Sequence, residues 1–117
     1  MLVDWKSLRN DSQSLCNYIL NIPLSRFQKL FDNFLSIAEL SDLLNAFQKA
    51  LDDEVKLQHC IERLMALTTS RRFGSASVFL SKTDMENLKI ILNRASTSED
   101  LKNDCSVLAK RFRIDDR

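Results

Sequence analysis

One glycine, Gly74, and one proline, Pro23, are all that 117 residues offer to turns of unusual backbone geometry. With so little glycine, turns that need a positive φ are nearly excluded. A β-sandwich of this length needs many such turns, whereas helices can be joined by short Ser, Asp, Asn and Thr connections. The expected fold is therefore all-α, a compact bundle of about six to seven short helices. The length suits one domain that buries a core without help from metal or disulfide. The expected layout is an N-terminal arm over residues 1–10 anchored by Trp5, a single helical domain over 11–114, and a tail over 115–117.

The apolar residues recur at helical spacing along the chain. Asp11 or Ser12 caps a first helix with Leu15, Tyr18, Ile19 and Ile22 on its apolar side. Pro23 opens a second, because its missing N–H costs nothing in a first turn. Leu24, Phe27, Leu30, Phe31 and Phe34 follow as a core stripe. Ser36 and Glu39 form a capping-box pair ahead of Ile37, Leu40, Leu43, Leu44, Phe47 and Leu51. Asp52 or Asp53 caps the next helix, which carries Val55, Leu57, Ile61, Leu64, Met65 and Leu67. Ser81 and Asp84 repeat the capping signature before Met85, Leu88, Ile91, Leu92 and Ala95. A last helix over residues 99–112 buries Leu101, Cys105, Leu108 and Phe112.

Between Arg71-Arg72 and Lys82 runs Phe73-Gly74-Ser75-Ala76-Ser77-Val78-Phe79-Leu80-Ser81, uncharged in a chain that is 28% charged. At helical spacing Phe73, Ala76 and Leu80 share one side, and Ser75, Val78 and Phe79 share another. Two readings fit: a contact helix that keeps its second side for a partner, or a central helix buried all round.

Several classes of function fall away. The net charge of +1, with acids and bases interspersed, makes no broad field for nucleic acid or an anionic membrane. No apolar run approaches a membrane span. Cys16, Cys60 and Cys105 are odd in number and lack metal-site or redox-motif spacing, so buried free thiols in a reducing compartment are expected, with no metal. The adjacent pair His59-Cys60 points its side chains about 100° apart on a helix, which suits no shared ligand. No phosphate loop, dinucleotide fingerprint or nucleophile elbow is present, so neither an enzyme nor a cofactor is expected.

The series Leu64-Met65-Ala66-Leu67, Arg72-Phe73 through Ser81, Asp84-Met85-Glu86, Leu92-Asn93 and Leu108-Ala109-Lys110-Arg111-Phe112 resembles a known family. So do Trp5-Lys6-Ser7-Leu8, Cys16-Asn17-Tyr18 and Phe27-Gln28-Lys29-Leu30-Phe31. That family comprises the C-terminal domains of RNA polymerase II-associated protein 3 and sperm-associated antigen 1. The resemblance implies an all-helical, cytoplasmic protein-interaction module of a co-chaperone adaptor. Its partner would be the RuvB-like AAA+ ATPase ring, with heat-shock chaperones held indirectly through other domains of a longer protein. The service implied is assembly of multi-subunit complexes, dynein arms among them. The same resemblance nominates Arg72, Ser75, Ala76 and Phe79 as partner-binding residues, with Ser75 where a relative has Met. Two rivals stand beside it. One is a homodimerisation domain that pairs the uncharged helix with its copy. The other is nucleic-acid binding through Arg71, Arg72, Lys110, Arg111 and Arg113, which would be steeply salt-dependent.

Overall fold

The computed structural model describes residues 11–49 and 53–113, and of Ser12, Asn33 and Phe34 only the backbone. The arm carrying Trp5, the residues Leu51 and Asp52, and the tail over 115–117 lie outside the described residues. Seven helices and no strand occur among them: α1 (Ser12–Leu20), α2 (Leu24–Phe34), α3 (Ile37–Gln48), α4 (Glu54–Leu67), α5 (Phe73–Ser77), α6 (Lys82–Ala95) and α7 (Glu99–Arg111). The all-α expectation holds. No described helix is long and apolar enough to cross a membrane.

The helices begin where side chains can take up the orphan N–H groups of a first turn. Asp11 accepts from the Ser14 N–H at 3.2 Å, and Asp53 accepts from the N–H groups of Val55 and Lys56 at 2.9 and 3.3 Å. Ser81 and Asp84 make the full reciprocal capping box, each accepting the other's N–H at 3.1 Å. Ser36 departs from the expected box: its hydroxyl donates to the Glu39 carboxylate and caps no backbone N–H. Pro23 is the residue preceding α2, and its carbonyl accepts from Phe27 at 2.9 Å.

α3 and α4 form the middle of the bundle. α3 packs against α1, α6 and the short α5, while α4 packs against α2 and α7 with lesser contacts to α1 and α6. Each helix contributes to one continuous core, from Leu15 and Ile19 through Phe27, Phe31, Leu40, Leu43, Leu44, Phe47, Leu57, Ile61 and Leu64 to Leu88, Ile91, Leu101 and Leu108. All three cysteines are buried free thiols, as expected.

Three residues of the apolar stripes are exposed instead: Leu24, Ile37 and, at 64% exposure, Val55. Each lies in the first turn of its helix. Side chains lean toward a helix's N-terminus, so a first-turn residue of the right phase still projects past the end of its packing partner.

Two charged residues lie in the core's edge. Arg63 is 5% exposed, and its Nη2 donates to the carbonyls of Leu20 and Ile22 at 3.3 and 2.9 Å, closing the end of α1. Asp84 is 7% exposed and accepts the Ser41 hydroxyl at 2.6 Å, which ties the start of α6 to α3. At the far end of α7, Arg113 has φ 58, the only positive φ among the described residues, and Gly74 is not used that way.

Candidate protein-docking site

The uncharged stretch forms α5 and the turn after it, and the segment before it is pinned from both sides. Thr68 and Thr69 donate to the carbonyls of Met65 and Ala66 at 2.7 Å each, folding the chain back at the end of α4. Gln28 of α2 donates to the Thr69 hydroxyl at 2.8 Å, and Arg111 of α7 donates to that of Thr68 at 2.6 Å. The Ser70 hydroxyl donates to the Phe31 carbonyl at 2.8 Å. Asp32 accepts the Arg71 backbone N–H at 3.1 Å and faces its Nε at 3.3 Å. Side chains from α2 and α7 thus fix where α5 starts.

α5 itself is only five residues long, too short to hold its shape without neighbours. Its inner side supplies them. Phe73 is buried edge-on against Phe112, with ring centroids 4.9 Å apart and planes at 88°. Ala76 is buried against the same core, and Leu80 packs on it.

The outer side is the one the spacing separates. Ser75 is exposed, Val78 is 58% exposed and Phe79 is 67% exposed. Arg72 is exposed at the head of the helix, and Gly74 has open space where a Cβ would stand. Of the four nominated residues, Arg72, Ser75 and Phe79 lie at the surface, and Ala76 does not. At 3% exposure it faces the core, so an Ala76 substitution alters the fold as well as the surface. Phe79 is the most exposed large apolar side chain among the described residues. Leaving such a ring in water forfeits roughly 2 kcal/mol that burial would contribute. Arg72, Ser75 and Val78 are exposed near it in sequence, and aromatic and arginine side chains are the types that commonly anchor interfaces.

The residues missed by spacing alone are those that hold this surface in place. Arg63 lies three residues after Cys60 and four before Leu67, inside a buried stripe, and that misplaced charge is a readable signal. Thr68, Thr69 and Ser70 read only as a break between helices, because their partners lie 39 to 43 residues away. No group of His, Cys, Asp and Glu able to hold a metal occurs among the described residues. His59 is half-buried and meets Glu62 at 3.3 Å, an ordinary contact between neighbouring turns.

Among curated proteins the chain is 28% identical over 109 residues to RNA polymerase II-associated protein 3 of Rattus norvegicus, and 25% identical over 109 residues to that of Mus musculus. Each match covers 93% of this chain and 16% of the relative, so the chain spans about a sixth of the length of the curated relatives it matches. No solved structure matches it. The family model described as "Potential Monad-binding region of RPAP3" matches residues 2–85, which takes in α1 to α5 and the capping box of α6. The chain belongs to that family, the C-terminal region of RNA polymerase II-associated protein 3.

Proposed function

We propose that this domain is a non-catalytic docking module of a cytoplasmic co-chaperone adaptor. Its partner is the RuvB-like AAA+ ATPase ring, and other domains of a longer protein bring in heat-shock chaperones. The observation that carries the reading is the two-sided stretch made of α5 and the turn after it. One side is locked into the core by Phe73, Ala76 and Leu80, and the exposed residues of the same stretch include Val78 and Phe79, with Ser75 and Arg72. A core helix would bury both sides, and an ordinary surface helix would put polar groups where Val78 and Phe79 stand. The family description names a binding region, with Monad as the printed partner, and thereby supports protein binding as the role.

In this reading Phe79 enters an apolar pocket of the ATPase, and Arg72 meets an acidic group at the pocket's rim. The exposed Ser75 contributes little area, so this chain binds more weakly than a relative with Met there. The test is capture of the purified RuvB-like pair by the 117-residue chain, with Phe79→Ala and Arg72→Ala alongside. Loss of capture with an unchanged melting midpoint supports the docking surface, and full capture by both variants overturns it. Sedimentation of the same samples reports the rival outcome: a stable dimer that excludes the ATPase would make this face a self-association surface.

A further inference from the structure

Ser75 is exposed on α5, and its hydroxyl makes no hydrogen bond among the described residues. The other serine hydroxyls of this segment are engaged. Ser70 donates to the Phe31 carbonyl at 2.8 Å, Ser77 donates to that of Gly74 at 3.3 Å, and Ser81 accepts the Asp84 N–H at 3.1 Å. Gly74, just before Ser75, has open space where a Cβ would stand, so nothing crowds the approach there. Arg72 stands three residues before Ser75, and Arg71 four. Asp32 holds Arg71, whereas the Arg72 guanidinium is in no ion pair among the described residues.

We propose that Ser75 is a phosphorylation site for an arginine-directed serine kinase, and that its phosphate turns docking through this face off. The site stands on the geometry just given, and the release rests on the docking reading above. Such a kinase grips a guanidinium three residues before the acceptor with carboxylates, a bidentate and charge-assisted contact. Thr97 shows what the geometry adds to the spacing. Arg94 lies three residues before it, yet the Thr97 hydroxyl donates to the Arg94 carbonyl at 2.8 Å and accepts from the Arg94 guanidinium at 3.3 Å.

A kinase takes its substrate as an extended segment, so Ser75 is reached when α5 opens. Five residues hold no helix by themselves, and the Phe73 ring against Phe112 is the brace that keeps α5 closed. In the open segment the Ser75 oxygen attacks the γ-phosphorus of ATP. The bond from that phosphorus to the bridging oxygen breaks, and ADP leaves with the electron pair. The hydroxyl proton passes to the kinase's catalytic carboxylate. The phosphate adds roughly −1.5 to −2 charges at pH 7 within the exposed stretch that carries Phe79. It repels the acidic group that Arg72 meets in the partner, and it draws Arg72 to itself.

The experiment incubates the folded 117-residue chain with magnesium ATP and the catalytic domain of a calmodulin-dependent kinase, which selects arginine at that spacing. Phosphate is then mapped by fragmenting the digested peptides. The expected product carries phosphate on Ser75 and none on Thr97. Ser75→Ala loses it, and Arg72→Ala slows its addition by about tenfold or more. Phe112→Leu, which weakens the brace while keeping apolar volume, speeds it about tenfold. Capture of the RuvB-like pair by the phosphorylated chain falls about tenfold and returns after phosphatase treatment. Kinase treatment leaves capture by Ser75→Ala where it stood before treatment. An unmodified Ser75, a Thr97 modified as fast, or a rate indifferent to Arg72 overturns the site. A rate unchanged in Phe112→Leu overturns the opening step. Equal capture with and without phosphate overturns the release. An unphosphorylated chain that captures nothing overturns the docking reading and the release with it, while the phosphate map still decides the site.

Discussion

Phe73 stands edge-on to Phe112, 4.9 Å between ring centroids, and this contact joins the five-residue α5 to the residue that closes α7. It links the candidate docking surface to the C-terminal end of α7. Phe112→Ala removes a buried ring and is expected to lower unfolding stability by about 3 kcal/mol. Phe112→Leu, which keeps apolar volume, should cost about half of that. Denaturant titration of the two variants checks the ordering.

Ala76 and Phe79 are three residues apart and should respond in opposite ways. Phe79 is mostly in water, so Phe79→Ala is expected to move stability by no more than about 0.5 kcal/mol while abolishing partner capture. Ala76 is buried, and Ala76→Glu forces a carboxylate into the core's edge, a change expected to cost about 3 kcal/mol or more. Thermal melts beside capture assays separate the two. An unchanged melting midpoint for Ala76→Glu would contradict the burial of that side.

Ser75→Met enlarges the exposed side of α5 without touching the core. If Met buries roughly half its side chain in the partner, it contributes about 1 kcal/mol, or roughly fivefold tighter binding. Titration calorimetry against the RuvB-like pair reads it directly. Equal or weaker affinity would place Ser75 outside the contact.

Arg63 closes the carbonyl end of α1 from within α4. Arg63→Ala leaves two backbone acceptors and a cavity, and should destabilise by about 2–3 kcal/mol. Arg63→Lys should recover only part of this, because an ammonium cannot reproduce the guanidinium fork. Hydrogen exchange is expected to show α1 losing protection first in both variants.

Asp84→Ala removes two acceptor contacts at once, to the Ser81 N–H through the capping box and to the Ser41 hydroxyl, and with them the anchor of α6 on α3. The expected loss is about 2 kcal/mol, a cap and a buried hydrogen bond together. Ser41→Ala should cost less, about 1 kcal/mol, and the pair should be less than additive in a double-mutant cycle.

Much of this was readable in the residue order. The scarcity of glycine excluded a sheet fold, and Asp11, Asp53 and Ser81-Asp84 marked helix starts because capping is local chemistry within one turn. The split of the uncharged stretch into Phe73, Ala76 and Leu80 against Ser75, Val78 and Phe79 follows from helical phase alone. Phase does not say where a helix runs past its neighbour, which is why Leu24, Ile37 and Val55 are exposed. Nor does it show that Ala76, nominated for contact through resemblance, turns inward. The links of Ser70 to Phe31, Arg71 to Asp32 and Arg111 to Thr68 join distant segments, and no local pattern announces them.

The stretch shared with the family's model stops at residue 85, yet Phe112 and Arg111 beyond it steady the head of α5. A fragment trimmed at that border would keep every nominated side chain and lose the brace that aims them. The smallest piece that holds the Phe79 ring in this pose therefore reaches at least to Phe112.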